Sequence, residues 1–270
     1  MSTNWSLAKR MEKVIDLLSP LVLPLVIIAI WGAATKFGNI EKVILPEPLQ
    51  VVETFVSLVR SGALLDHLLA SFVRIMKGFA LGTLAGVSVG IISGFSRRVG
   101  RLLNPTIAFI RTIPIYAWIP MLILWFGIGE SSKVIAITMG VFFPVHLSTE
   151  EGIRNIDVKY IEVAKILRLG RLFVLRKAVV PAALPFIITG IRLGLARAWM
   201  VVVVAELIAA TSGLGYLISD GRQLFQPDVM VVGMMTIGIA GVAMDALIGR
   251  IERRALKWRV RFEGYREASL

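Results

Sequence analysis

Six mostly apolar runs follow one another along the chain, near Pro20–Thr35, Gly78–Phe95, Pro105–Phe126, Val134–Thr149, Phe186–Ala210 and Val229–Gly249. A helix rising 1.5 Å per residue needs roughly 20 such residues to cross the hydrocarbon core of a bilayer. The pattern predicts about six membrane-spanning helices, the first and fourth extended by their flanks. Between the first two runs, Pro46-Glu47-Pro48 precedes Leu49, Val51, Val52, Phe55, Val56 and Val59. That is helical spacing beginning just after a proline, and it reads as a helix along the membrane interface. Leu64–Lys77 is also helical in pattern and leads into span two. The largest polar interruption is Glu150–Pro185, between spans four and five. The polar stretch Arg250–Leu270 follows span six and reads as a charge anchor.

Composition agrees with the pattern. The 270 residues are 56% hydrophobic and 18% charged, with mean hydropathy +0.78. Soluble domains carry about 25% charged residues. A disordered chain, a fibrous repeat and an ordinary cytosolic enzyme are excluded, and the expectation is an all-α polytopic membrane protein forming one domain over residues 1–270. The first apolar run is followed by no small-x-small cleavage site and is expected to be retained.

The net charge of +12 changes meaning once it is mapped. Twenty Lys and Arg fall before span one, between spans two and three, between spans four and five, and after span six. Seven fall on the opposite side (Lys36, Lys42, Arg60, Arg74, Lys77, Lys133 and Arg222), and Arg111, Arg192 and Arg197 lie inside spans. Basic residues collect in cytoplasmic loops, so both termini are expected in the cytoplasm. Orientation accounts for the charge, and nucleic acid is not an expected partner.

Candidate chemistry is sparse. Cysteine is absent and only His67 and His146 supply imidazole, so neither a thiolate nucleophile nor a metal site is expected. No Gly-x-Ser-x-Gly, His-Glu-x-x-His or Gly-Lys dipeptide occurs, which excludes the corresponding hydrolase, metalloprotease and phosphate-loop motifs. The chain is expected to be non-catalytic; if ATP drives its work, another polypeptide hydrolyses it.

Within the spans, Gly78, Gly82, Gly86, Gly90 and Gly94 recur every four residues. Such a ladder drifts by about 40° per step and forms a smooth stripe against which another helix packs closely. Pro114 and Pro120 interrupt span three, either as a kink for packing or as a broken helix near a transport path. Ionisable residues are costly in hydrocarbon and mark candidate functional positions. Arg111, Arg192, Arg197 and Glu206 are the translocation-path candidates; a structural ion pair would look the same in sequence. Asp245 and Arg111 are close enough to span ends to reach cytoplasmic water. His146 reads as a packing residue.

The Glu150–Pro185 segment is amphipathic, with Ile156, Val158, Ile161, Val163, Ala164, Ile166 and Leu167 among Lys159, Glu162, Lys165 and Arg168. A short helix is expected to end in a left-handed turn at Gly170. A second helical run is expected to be stopped by Pro181 and Pro185. Glu162-Val163-Ala164, with Pro181 nineteen residues after the glutamate, resembles the EAA loop of permease subunits of ATP-binding cassette importers. The glycine of that loop would fall at Arg168, and this chain has glycine two places later. Further strings in order are similar to the branch handling aliphatic sulfonates, taurine and nitrate: Ile44–Pro48, Arg111–Pro114, Leu124–Glu130, Gly152–Ile156, Ala205–Ile208 and Ser212–Tyr216.

The resemblance implies a type I importer permease of a bacterial cytoplasmic (inner) membrane. It implies pairing with a second copy, two ATP-binding subunits inside and an extracytoplasmic solute-binding protein outside. No cofactor is implied on this chain, ATP and Mg being held by the partner ATPase. Residues 150–185 would be the coupling loop, with Tyr160, Glu162, Val163, Ala164, Leu167, Arg168 and Gly170 transmitting ATPase closure to the spans. The implied solute is a small oxyanion, first an aliphatic sulfonate, with nitrate, taurine, bicarbonate and a thiamine precursor as alternatives. A secondary transporter would require repeated halves, which the sequence does not display. An intramembrane enzyme would require the nucleophile or metal motifs that are missing.

Overall fold

The computed structural model describes residues 19, 22–38, 41, 43–157, 159, 162, 166 and 168–256. Among these there is no strand, and nearly all residues are helical. The helices are α1 (Val22–Phe37), α2 (Pro48–Arg60), α3 (Ala63–Phe95), α4 (Arg97–Thr112), α5 (Ile115–Phe126), α6 (Glu130–Arg154), α7 (Val180–Ala209), α8 (Leu214–Gln223) and α9 (Pro227–Ala255). Four of the described helices, α3, α6, α7 with its lead-in from Leu172, and α9, are long and apolar enough to cross a membrane. The α4–α5 pair qualifies as one broken span, and α1 is a shorter apolar helix. The six apolar runs are therefore all helical, in three length classes.

The chain divides into two compact units, one of Met1–Leu64 with Leu217–Met234, the other of Leu65–Tyr216 with Met235–Leu270. In the first, Pro48 starts α2 as the sequence predicts, since proline fits a first helical turn, where its N–H would be unused. The Trp31 indole N–H donates to the Pro46 carbonyl at 3.0 Å, tying α1 to the α2 entry. A cleft of about 430 Å³ lies between α2 and the start of α9, with the Thr54 hydroxyl donating to Asp228 across 2.5 Å.

The core of the second unit is α3, α6 and α7. Each ladder glycine of α3 meets a β-branched residue of α6: Gly78 with Ile137, Gly82 with Val141, Gly86 with Val145, Gly90 with Thr149, and Gly94 with Ile153. Both series advance by four and in the same direction, so α3 and α6 run parallel and wind about each other in the right-handed sense. A Cβ at Gly86 would stand 2.8 Å from the Val145 Cβ, so only glycine permits this approach. On its other side α6 packs antiparallel on α7, with Gly152 against Phe186, Gly190 against Ser148 and Gly140 against Val201. Central α6 is thus gripped on two faces, and Ala136, Ile137, Val141 and Val145 are fully enclosed. Parallel α3 and α6 begin at the same end of the unit, so the intervening α4–α5 pair returns the chain once along the unit's length.

Four expectations are corrected here. Span three starts at Arg97 instead of Pro105; of the two readings of its prolines the broken helix is the one observed, α4 meeting α5 at 95° across Pro114. Ile113 precedes Pro114 and is held extended at φ −76°, ψ 122°, because a residue before proline is disfavoured in the helical region. Pro120 sits inside α5 without breaking it. Pro181 and Pro185 do not stop a helix; they lie in the opening turns of α7, directly after the α-turn Arg171–Val174 and a π-turn, Leu175–Val179. The wider π-turn places an irregularity where two proline nitrogens provide no N–H to the ladder. Finally, among the described residues between α6 and α7 the left-handed one is Arg168 (φ 52°), and Gly170 is not left-handed.

Candidate translocation and coupling sites

The segment expected to couple to an ATPase leaves α6 at Arg154 and returns at Arg171. Glu162, Arg168 and Gly170 are exposed, as is Ile166. Tyr160, Val163, Ala164 and Leu167 lie outside the described residues. Both ends of the segment are anchored in one apolar cluster of Ile153, Val179, Ala183 and Ile187, against which Ile156, Val174 and Leu175 pack. The loop is therefore tied to α6 and α7 through the same cluster. The left-handed position falls at Arg168, where the EAA pattern has glycine; a side chain there costs about 1 kcal/mol that glycine would not.

Next to this anchor lies a polar cluster. Glu150 is buried and its Oε1 accepts from Arg154 at 2.6 Å and from Asn104 Nδ2 at 2.6 Å. His146 is buried, stacks on Phe142, and its Nε2 lies 3.2 Å from the Ser93 hydroxyl. The packing role read from the sequence fits this setting. The cluster joins α3, α4 and α6 at the end from which the segment 155–170 leaves.

At the opposite end sits a larger network, which the sequence did not disclose. Arg74 of α3 is buried, and all five of its N–H donors are used. Nε and Nη2 donate to the two oxygens of Glu130 at 2.7 Å each, Nη1 to Glu206 Oε1 at 2.7 Å and to the Ser212 carbonyl at 2.6 Å, and Nη2 also to the Ser212 hydroxyl at 2.9 Å. Glu206, 1% exposed, further accepts from the Ser71 hydroxyl at 2.8 Å and the Gly215 N–H at 2.9 Å. Lys133 Nζ lies 3.3 Å from Glu130, so two cations balance two carboxylates. Gly213 (φ 116°) rests on the Glu206 carboxylate, where a Cβ would collide with it. Its N–H donates to His67 Nδ1 at 3.1 Å.

The four path candidates separate into two classes. Glu206 is internal in this chain, its carboxylate enclosed by α3 and the α7–α8 turn. Arg192 is paired too: Nε and Nη2 reach the two Asp245 oxygens at 2.6 Å each, and Nη1 stands 3.6 Å from Glu252. Asp245 is thus a partner across helices, not only a residue near water. Arg111 and Arg197 are exposed, and neither has a carboxylate partner among the described residues.

The model of one family, described as binding-protein-dependent transport system inner membrane component, matches residues 78–257, which include most of α3, all of α4 to α9, and the segment between α6 and α7. The chain belongs to that family. It is an ATP-binding cassette importer permease of the sulfonate, taurine and bicarbonate branch. The aliphatic sulfonates transport permease protein SsuC of Bacillus subtilis strain 168 is 43% identical over 244 residues, 90% of this chain and 88% of that one. The taurine permease TauC of Escherichia coli K12 is 33% identical over 260 residues, 94% of this chain and 92% of that one. The bicarbonate permease CmpB of Synechococcus elongatus is 31% identical over 190 residues, 70% of this chain and 68% of that one. Among solved structures, an inward-facing MetNI methionine transporter matches with TM-score 0.61 at 18% identity, covering 68% of this chain and 92% of that one. At that identity the likeness is one of fold, and it places the chain in the helical importer-permease architecture.

Proposed function

We propose that the chain is the permease subunit of an ATP-driven importer for a small oxyanion, an aliphatic sulfonate first among them. Two copies form the path, two separate subunits bind ATP and Mg on the cytoplasmic side, and an extracytoplasmic binding protein delivers solute. The chain works as one permease domain over residues 1–270, with both termini cytoplasmic and residues 150–185 as the coupling loop. Tyr160, Glu162, Val163, Ala164, Leu167, Arg168 and Gly170 form the face that meets the ATPase. ATP binding draws the loops together and opens the pair outward; hydrolysis resets it.

The observation carrying the coupling role is the anchorage of both loop ends in the Ile153–Val179–Ala183–Ile187 cluster, which links a movement of the loop to two core helices at once. The solute class rests on two relatives, 43% and 38% identical, that are both named aliphatic sulfonates transport permeases. Taurine is itself an aminoalkanesulfonate, so the TauC likeness points to the same headgroup. Co-expression with its ATPase tests the coupling. The ATPase should co-purify, and Glu162→Lys or an insertion after Gly170 should leave hydrolysis running while uptake of ethanesulfonate falls. Unchanged uptake in both variants would overturn the coupling role.

A further inference from the structure

Arg192 and Arg197 both lie in α7, a helix of apolar composition long enough to cross a bilayer. The fold treats them differently. Arg192 is neutralised by a two-pronged pair to Asp245. Arg197 has no carboxylate partner among the described residues, and it is exposed on a face it shares with Leu193, Ala196 and Met200. It stands twelve residues from the Ala209 end and seventeen from the Val180 end, or about 18 and 26 Å along the axis. Those distances exceed what an arginine side chain spans by snorkelling. An unpaired guanidinium at this depth is not stable against lipid; such residues face water-filled cavities or partners.

We infer that Arg197 lines a water-filled path in the assembled transporter and is the contact that receives the anionic headgroup of the solute. The inference rests on the importer reading above. A planar guanidinium presents two parallel N–H donors to two oxygens of one oxyanion, which suits a sulfonate and gives charge selectivity without a pocket shaped to the rest of the molecule. A weakly discriminating contact of this kind suits a path that must also release its cargo.

The chain has no cysteine, so a single introduced thiol reports its own surroundings. Arg197→Cys, Leu84→Cys and Val242→Cys are compared in membranes holding the permease with its ATPase; Leu84 and Val242 are exposed apolar positions on α3 and α9. The probe is the anionic thiosulfonate reagent carrying an ethylsulfonate group. Arg197→Cys should react at least about tenfold faster than the other two. Reaction no faster than at Leu84 and Val242 overturns the inference. In uptake, Arg197→Gln should lose about tenfold or more, the scale of one charged hydrogen bond, while Arg197→Lys keeps a measurable part. Wild-type uptake by Arg197→Gln overturns the contact. Because the described side chain touches no partner, the thermal stability of both variants should match wild type, and a fall would count against an open path. If the wild type takes up no alkanesulfonate, the solute assignment fails, while the labelling rates still decide whether residue 197 stands in water.

Discussion

Adding one methyl group at Gly86 should damage the core of the permease more than its size suggests. The new Cβ would lie 2.8 Å from Val145 Cβ, 2.9 Å from Val145 Cγ1 and 3.0 Å from the Phe142 carbonyl oxygen. Carbon pairs settle near 3.5–4.0 Å, so α3 and α6 must part by close to 1 Å at this point, and a gap of 0.5–1 Å forfeits a quarter to a half of each dispersion contact it opens. The glycine steps above and below, at Gly82 and Gly90, are rigidly connected to the same seam and lose contact as well. Overpacking of this kind costs about 1–3 kcal/mol, offset by up to about 1 kcal/mol from the better helix propensity of alanine. Gly238→Ala in α9 is the control, since a Cβ there meets nothing within 4 Å and only the propensity gain remains. Thermal unfolding of the purified permease, followed by tryptophan fluorescence, should show Gly86→Ala well below Gly238→Ala. For a chain of this size the shift is about 2–4 °C for each kcal/mol. Val145→Ala should rescue little, because the closest clash is with Val145 Cβ, whereas Val145→Gly should rescue beyond additivity. A Gly86→Ala protein as stable as Gly238→Ala, or strict additivity with Val145→Gly, would refute the seam.

Other consequences follow from the polar networks and the loop. Glu206→Leu strands the buried Arg74 beside Glu130 and should cost about 3–5 kcal/mol, seen as loss of folded, monodisperse protein on size exclusion; Glu206→Gln, which keeps the shape, should be milder. Arg168→Gly relieves a left-handed side chain and should stabilise the loop by about 1 kcal/mol, read as slower amide exchange around it, while Gly170→Ala should change little. Asp245→Asn removes the two-pronged partner of Arg192 and should lower the yield of folded membrane-inserted protein, with Asp245→Glu retaining more.

Much of this architecture was written in the sequence because membrane segments obey simple rules. Apolar length gave the helices, and the ladder of glycines on α3 announced a close seam. The matching ladder was harder to see: Ile137, Val141, Val145, Thr149 and Ile153 are ordinary apolar or β-branched residues until the partner's glycines give them meaning. In sequence, Arg74 is one more basic residue on the outer side, near a span end. Only the fold brings it to Glu130 and Glu206. Three of the strings that carried the family resemblance, those ending at Glu130, containing Glu206 and running through Ser212–Tyr216, meet at this one arginine. Short motifs far apart in the chain were thus parts of a single network. The effect of a proline depends on its position in a helix, which a sequence pattern does not fix. Pro114 breaks one through the extended residue before it, whereas Pro181 and Pro185 enter at the first turns of another. The four charged path candidates were equivalent in sequence, because ion pairing across helices leaves no local signature.

The most direct test of the account is uptake of ethanesulfonate into vesicles carrying the permease, with its ATPase and solute-binding protein added or withheld. Accumulation should require all three proteins and ATP on the ATPase side. Accumulation by the permease alone, driven by an ion gradient without ATP, would contradict it.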